Sequence, residues 1–234
     1  MNGLIALVGS GEYLSVMNEV DRYLLDSLDT KPPRVVCLPT AAGQEGEESV
    51  NRWSRMGVEH FQKLGAEVEA LPIVDKASAN DEKFVPKLEN ANFIYLSGGN
   101  PMHLYETMRG SLAWGAMQKA WGNGAIYAGC SAGAMILSKR IPSFRLAGTN
   151  EGFGVVPSHF IIPHFDAIPG LWKPLVFALK TQLKKGERMI GVDENTALVG
   201  RLGGEWKVMG KSKVHVFTRD GSKTYSTGQT LLLH

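Results

Sequence analysis

The chain has 234 residues, of which 44% are hydrophobic and 21% are charged, and its formal net charge is +2. These values are ordinary for one globular α/β domain that is long enough to bury a full core, so we expect residues 1–234 to form a single domain. The sequence has no basic block, no acidic tail and no apolar run of about 18 residues, which argues against nucleic acid or a membrane as a partner.

The apolar N-terminus, Met1–Gly9, is short and lacks a basic leader, so it predicts a first buried strand rather than a signal peptide. Further apolar runs alternate with amphipathic segments. Together the apolar runs predict strands at Leu4–Val8, Val35–Leu38, Val68–Leu71, Phe93–Leu96 and Ala125–Ala128, and the amphipathic segments predict helices at Ser15–Leu28, Glu48–Leu64 and Ser111–Trp121. This alternation indicates a mostly parallel central sheet with helices on both faces.

The C-terminal part has a different pattern. A helix is predicted over Leu171–Lys185, with Pro174 in its first turn and Gly186 past its end. After it, apolar strands alternate with Gly-rich turns and predict mostly antiparallel β-hairpins: Met189–Val192, Thr196–Val199, Trp206–Met209, Val214–Thr218 and Thr230–Leu233.

A strand, a sharp turn and a helix are indicated by residues 125–137, where an apolar run leads into Gly129-Cys130-Ser131-Ala132-Gly133. The two glycines allow a tight turn and a close approach of helix and strand. Ser131 at the apex would expose its hydroxyl, as the nucleophile of a hydrolase elbow does. The alternative is a plain strand-to-helix turn with a capping serine.

A serine nucleophile needs a base, an orienting acid and oxyanion donors. His164 follows the predicted strand Phe160–Ile162 and is the better-placed base, because His159 stands at the opposite end of that strand. The residues alone do not identify which acid orients the histidine. Asp193, Glu194 and Glu151 all compete for the role.

Two backbone amides could stabilise the oxyanion. Ala132 directly follows the nucleophile, and the loop Ser97-Gly98-Gly99-Asn100 follows a neighbouring predicted strand.

Cys37 and Cys130 lie in apolar runs and predict buried thiols in a reducing, cytoplasmic compartment. Neither the Cys spacing nor the short Gly9-Ser10-Gly11 pattern indicates a metal or nucleotide cofactor, so we expect no cofactor.

Four segments occur together in order along the chain, and with them the sequence resembles the serine peptidases related to dipeptidase E (aspartyl dipeptidase) and cyanophycinase. They are Ser97-Gly98-Gly99-Asn100, Gly129-Cys130-Ser131-Ala132-Gly133-Ala134, Pro163-His164-Phe165 and Asp193-Glu194-Asn195-Thr196-Ala197-Leu198. The resemblance covers nearly the whole chain and implies a class I glutamine-amidotransferase-like α/β fold. It further implies Ser131 as nucleophile, His164 as base, Glu194 as orienting acid, and Gly99 and Ala132 as oxyanion-hole positions.

One departure concerns the substrate. These relatives carry arginines shortly after the His-Phe pair, whereas residues 166–174 contain none. Trp172 and Lys173 are therefore our predicted substrate-binding residues. We expect a serine peptidase acting on small peptides, with esterase or amidase chemistry, or a silent small-molecule binding protein, as alternatives. A homodimer is compatible with the sequence.

Overall fold

The structure, a computed structural model, describes residues 2–143, 148–170 and 173–233. Its strands are, in chain order, β1 (Ile5–Val8), β2 (Arg34–Leu38), β3 (Glu67–Ala70), β4 (Phe93–Leu96), β5 (Ile126–Cys130), β6 (Arg140–Ser143), β7 (Gly148–Glu151), β8 (Phe160–Ile162), β9 (Arg188–Val192), β10 (Thr196–Gly200), β11 (Glu205–Gly210), β12 (Lys213–Thr218), β13 (Ser222–Ser226) and β14 (Thr230–Leu232). Its α-helices are α1 (Asn18–Asp26), α2 (Glu47–Lys63), α3 (Val85–Glu89), α4 (Pro101–Met108), α5 (Leu112–Gly122), α6 (Ala132–Met135) and α7 (Lys173–Thr181).

An eight-stranded main sheet has the order β14-β11-β10-β1-β5-β4-β2-β3. The strands from β1 to β3 in this order run parallel, whereas β10, β11 and β14 each pair antiparallel with a neighbour. This architecture confirms the predicted α/β fold with a mostly parallel central sheet and C-terminal hairpin strands. Because the parallel strands end on one edge, their following loops meet there.

Both faces of the main sheet are buried under helices. Side chains alternate along β1, so that Ile5 and Leu7 join one apolar cluster while Ala6 and Val8 join the other. Helices α1 and α2 cover the face of Ala6, and α3 to α6 cover the face of Ile5. The continuous apolar runs of β1, β4 and β5 are therefore strands buried on both sides, whereas the edge strand β3 is partly exposed.

A second, four-stranded sheet has the order β13-β12-β9-β8. The predicted C-terminal strands are thus divided between two sheets, and β8 pairs with β9 in parallel rather than as a hairpin. Helix α7 packs on this sheet through Val176 and Leu179, next to Met189 of β9. The chain crosses from the second sheet to the main sheet between β9 and β10.

Two helices of the structure begin or end at other residues than the sequence predicts. The segment predicted over Ser15–Leu28 begins as a 3₁₀ turn, Ser15–Met17, and continues as α1. In the described part of the predicted helix Leu171–Lys185, α7 stops at Thr181 because the next two amides, those of Gln182 and Leu183, bond three residues back rather than four. No helix in the described ranges combines the length and the apolar composition needed to cross a bilayer.

Candidate active site

Ser131 lies at the sharp turn between β5 and α6, with φ +48° and ψ −104°. A non-glycine residue in such a conformation costs about 1–3 kcal/mol and persists only where its surroundings enforce it. The flanking glycines provide that enforcement. A Cβ on Gly129 would lie 2.4 Å from the backbone of Gly133, so strand and helix touch here without room for a side chain. The tight contact holds the Ser131 hydroxyl at the carboxyl edge of the main sheet.

The imidazole of His164 connects Ser131 to Glu194. Its Nε2 lies 3.2 Å from Ser131 Oγ, and its Nδ1 lies 2.9 Å from Glu194 Oε1. A carboxylate beside Nδ1 favours the proton on that nitrogen and leaves Nε2 as an acceptor for the serine proton. The side chains of His164 and Glu194 are 43% and 41% exposed, so a ligand from solvent can reach them.

The turn that carries Glu194, between β9 and β10, is held from two sides. The Glu194 N–H donates to Asp166 Oδ1 at 2.8 Å, and the Asn195 N–H donates to Ser10 Oγ at 3.2 Å. Asp166 stands two residues after His164, so one short segment contributes the imidazole and also positions its carboxylate partner. The sequence analysis did not single out Asp166, whose only signal was its closeness to His164 in the chain.

The two competing acids have other partners. The buried Asp193 accepts hydrogen bonds from the Ser212 hydroxyl at 2.7 Å and the Lys213 N–H at 3.1 Å, and its other oxygen lies 3.0 Å from His215 Nε2. Asp193 therefore links the end of β9 to β12. Glu151 lies on β7, where it pairs with a residue of β6. Among the residues described, Glu194 is the acid that contacts His164.

The glycine loop after β4 runs beside Ser131. A Cβ on Gly98 would lie 3.3 Å from Ser131 Cβ. The Gly98 N–H donates to Glu12 Oε1 at 2.9 Å, whereas the amides of Gly99 and Ala132 donate to none of the residues that the structure describes. Two amides on either side of Ser131 thus remain available for a ligand. Glu12 had no signal in the sequence beyond its place after β1.

Cys130 precedes Ser131 but points into the core. Its thiol is fully buried and donates to Glu12 Oε2 at 3.0 Å, and burial raises its pKa well above the usual range. Burial also raises the pKa of the other thiol, Cys37, to about 12. Neither sulfur is exposed as a nucleophile.

We predict that iodoacetamide at pH 8 leaves Cys37 and Cys130 unmodified in the folded protein. A thiol with a pKa near that of Cys37 is ionised on the order of one part in ten thousand at this pH, and only the thiolate reacts. Intact-mass measurement checks this, with the protein in denaturant as the control in which both thiols react. Stoichiometric alkylation of either cysteine without denaturant would contradict the placement.

The other described histidines have structural partners. His60 Nε2 lies 2.8 Å from Asp21 in a buried pair, and His103 Nε2 lies 2.7 Å from a backbone carbonyl. His159, at the opposite end of β8 from His164, lies 3.1 Å from Glu187, and burial lowers its pKa. None of these contacts involves Ser131.

The two predicted substrate-binding positions, Trp172 and the side chain of Lys173, lie outside the described residues. Within the described ranges, no three His, Cys, Asp or Glu side chains are grouped as a metal site requires.

Known proteins resemble this chain in sequence and in structure. The family model of Peptidase family S51 matches residues 5–204. A crystal structure of a peptidase from an acI-B1 Actinobacterium superposes with a TM-score of 0.89 at 35% identity, covering 99% of this chain and 97% of the other. A putative peptidase E protein from Listeria monocytogenes EGD-e superposes with a TM-score of 0.66 at 22% identity, covering 91% of this chain and 100% of the other, which shows a shared fold.

Curated relatives match a smaller part of this chain. A cyanophycinase of Synechococcus elongatus is 27% identical over 176 residues, which covers 70% of this chain and 54% of the relative. An uncharacterized peptidase of Bacillus subtilis (strain 168), YgaJ, is 30% identical over 139 residues, covering 58% of this chain and 56% of the relative. The chain therefore spans about half the length of the curated relatives it matches.

Proposed function

Because the chain belongs to Peptidase family S51, we propose that it is a serine peptidase that hydrolyses small peptides with Ser131, His164 and Glu194 as a catalytic triad. The observation that carries this proposal is the continuous contact from Ser131 Oγ through the His164 ring to Glu194, with distances of 3.2 and 2.9 Å. Nucleophile and base within hydrogen-bond reach, with the base oriented by a third group, are what acyl transfer requires.

Acylation begins when Ser131 Oγ bonds to the peptide carbonyl carbon and His164 Nε2 takes the hydroxyl proton. The carbonyl π electrons move to oxygen, and the amides of Gly99 and Ala132 donate to the oxyanion. Glu194 stabilises the imidazolium through Nδ1. Collapse of this intermediate breaks the C–N bond, and the leaving amine receives the proton from Nε2.

Deacylation repeats these steps with water as nucleophile. His164 takes a proton from the water as its oxygen bonds to the acyl carbon, and the proton returns to Ser131 Oγ when the ester bond breaks. The products are a free carboxylic acid and the regenerated serine.

The buried free thiols Cys37 and Cys130 support a reducing compartment, so we extend the proposal to a cytoplasmic enzyme.

Reaction with a fluorophosphonate probe tests the proposal. We expect stoichiometric labelling of Ser131, located by peptide mapping, together with release of amino acids from a dipeptide library. Labelling with ester cleavage but no peptide cleavage would favour an esterase. No labelling of the folded protein would favour a silent binding protein.

The substrate preference is a separate prediction. Residues 166–174 contain no arginine, so they offer no planar guanidinium to pair with an aspartyl carboxylate, and Lys173 supplies a point charge at most. We expect kcat/KM for Asp-Leu and Ala-Leu, measured at one pH, to differ by less than about tenfold, since a charge partner worth about 2–5 kcal/mol is missing. A preference of about a hundredfold for Asp-Leu would show that other residues recognise the carboxylate.

A further inference from the structure

Glu12 is a buried acid that the proposed chemistry does not use. It follows β1, its residue is 9% exposed, and both carboxylate oxygens have donors: the Gly98 N–H at 2.9 Å and the Cys130 thiol at 3.0 Å. Burying a carboxyl group is costly unless it is hydrogen-bonded. One of its partners, Gly98, belongs to the proposed oxyanion loop, and the other, Cys130, directly precedes the proposed nucleophile.

The first contact decides which amide of the glycine loop is free. The Gly98 N–H is taken by Glu12, and on the far side the Asn100 N–H donates to the Ala41 carbonyl at 2.8 Å. The amide between these two anchors is that of Gly99. Gly99 has φ +140°, and a Cβ there would lie 2.5 Å from Ala41 O, so its conformation requires glycine.

The second contact sets where this loop lies relative to the nucleophile. Cys130 is the last residue of β5 and precedes Ser131, so Glu12 joins the loop after β4 to the strand that carries Ser131. The space is tight. A Cβ on Gly98 would lie 2.8 Å from Glu12 Oε1 and 3.3 Å from Ser131 Cβ.

From this arrangement we infer that Glu12 is a positioning residue for the oxyanion hole: it accepts from the Gly98 N–H, which holds the Ser97–Gly98 peptide and so orients the adjoining Gly98–Gly99 peptide, whose Gly99 amide faces the substrate oxygen. Without the carboxylate, the buried Gly98 N–H has no acceptor. Rotation of the Ser97–Gly98 peptide toward another partner then turns the adjoining Gly98–Gly99 peptide and removes the Gly99 donor from the site. The inference rests on the proposed function and adds a residue that touches neither the substrate nor His164.

The test compares Glu12→Ala, Glu12→Gln and Asp21→Asn in the full chain. Losing one oxyanion donor costs about 10²–10³-fold in kcat, so Glu12→Ala should lower kcat by about 10²-fold with KM changed by less than about threefold. Glutamine keeps one oxygen acceptor, so Glu12→Gln should recover kcat to within about tenfold of the wild type. A dipeptide boronate, which mimics the tetrahedral intermediate, should lose affinity in parallel with kcat.

Asp21→Asn is the matched control, because Asp21 is also a buried acid with a hydrogen-bonded partner, His60 at 2.8 Å, but has no described hydrogen bond with the glycine loop. It should lower the unfolding temperature while kcat stays within about threefold. An equal kcat loss in Asp21→Asn and Glu12→Ala would overturn the inference, since the effect would then follow general destabilisation. So would an unchanged kcat in Glu12→Ala. If Glu12→Ala does not fold, Glu12→Met replaces it, because methionine keeps the side-chain volume but offers no oxygen acceptor, and wild-type kcat and boronate affinity in Glu12→Met overturn the inference.

Crystal structures of the wild type and the folded Glu12 variants separate this inference from the proposed function. A rotated Gly98–Gly99 peptide in Glu12→Ala supports the positioning role, whatever the activity of the wild type. A wild type that hydrolyses no peptide and whose Ser131 does not react with fluorophosphonate counts against the proposed function alone. An unmoved peptide in that variant overturns the positioning role even if the wild type is an active peptidase.

Discussion

Ser131→Ala should lower kcat for dipeptide hydrolysis by about 10⁴-fold or more, because the proposed acyl-enzyme forms on the Ser131 hydroxyl, which alanine lacks. The fold should survive the change. Alanine has the same backbone restrictions as serine at φ +48°, and the serine hydroxyl has its one described contact with His164. Steady-state kinetics and mass analysis after fluorophosphonate treatment measure the loss, and the thermal unfolding temperature checks the fold.

Alkylation provides the control for this prediction. Wild-type protein treated with iodoacetamide should keep its activity, since the Cys130 thiol is fully buried. Activity that survives in Ser131→Ala and disappears on alkylation would make Cys130 the nucleophile instead.

Glu194→Gln is the second change with a large expected effect. A glutamine can lie beside His164 but carries no charge to stabilise the imidazolium, and its NH₂ group can favour the wrong tautomer. We expect kcat to fall by about 10³–10⁴-fold, as for the equivalent acid-to-amide change in other serine triads. The main-chain contact to Asp166 is kept, so the turn should not move.

Glu151→Gln is the matched control, because Glu151 is the other glutamate that the sequence left open. It lies on β7 and has no described contact with His164. Its kcat should stay within about twofold of the wild type. A larger loss in Glu151→Gln than in Glu194→Gln, at equal unfolding temperatures, would reverse the assignment of the acid.

The parallel half of the main sheet could be predicted because burial on both faces gives continuous apolar runs. Residues 93–96 and 126–130 are buried throughout, and such runs stand out in a sequence. The strands that were missed consist mostly of polar residues. β13 reads Ser-Lys-Thr-Tyr-Ser and is mostly exposed, and β6 and β7 pair as a partly exposed hairpin. Their few apolar residues do not form the continuous or alternating pattern by which a strand is predicted from sequence.

Strand order and sheet membership were beyond the sequence pattern. The turn residues between β9 and β10 are compatible with a hairpin, yet these strands belong to different sheets. Both edges of β9 are occupied, one by β12 and the other by β8, so β10 pairs in the main sheet instead. Pairing between distant segments is decided by packing rather than by local propensity.

The predicted site residues came from local motifs and a family resemblance. The elbow around Ser131 has its own glycine spacing, whereas Glu12 and Asp166 are single acidic residues, Glu12 in a turn and Asp166 in a short 3₁₀ helix. Their importance in the structure depends on which backbone amides face them, those of Gly98 and Glu194. Those pairings join residues 86 and 28 positions apart, a separation that no short pattern encodes.

The place of β10 in the main sheet has a consequence during synthesis. β1 lies between β5 and β10, so one of its edges stays unpaired until the ribosome has released residues 196–200. Glu194 stands two residues before that strand. The segment of the proposed nucleophile therefore leaves the ribosome long before the proposed acid, which emerges just ahead of the strand that closes the sheet. A nascent or truncated chain that ends before Glu194 lacks a member of the proposed triad, so the proposed hydrolytic capacity is tied to the completion of the fold.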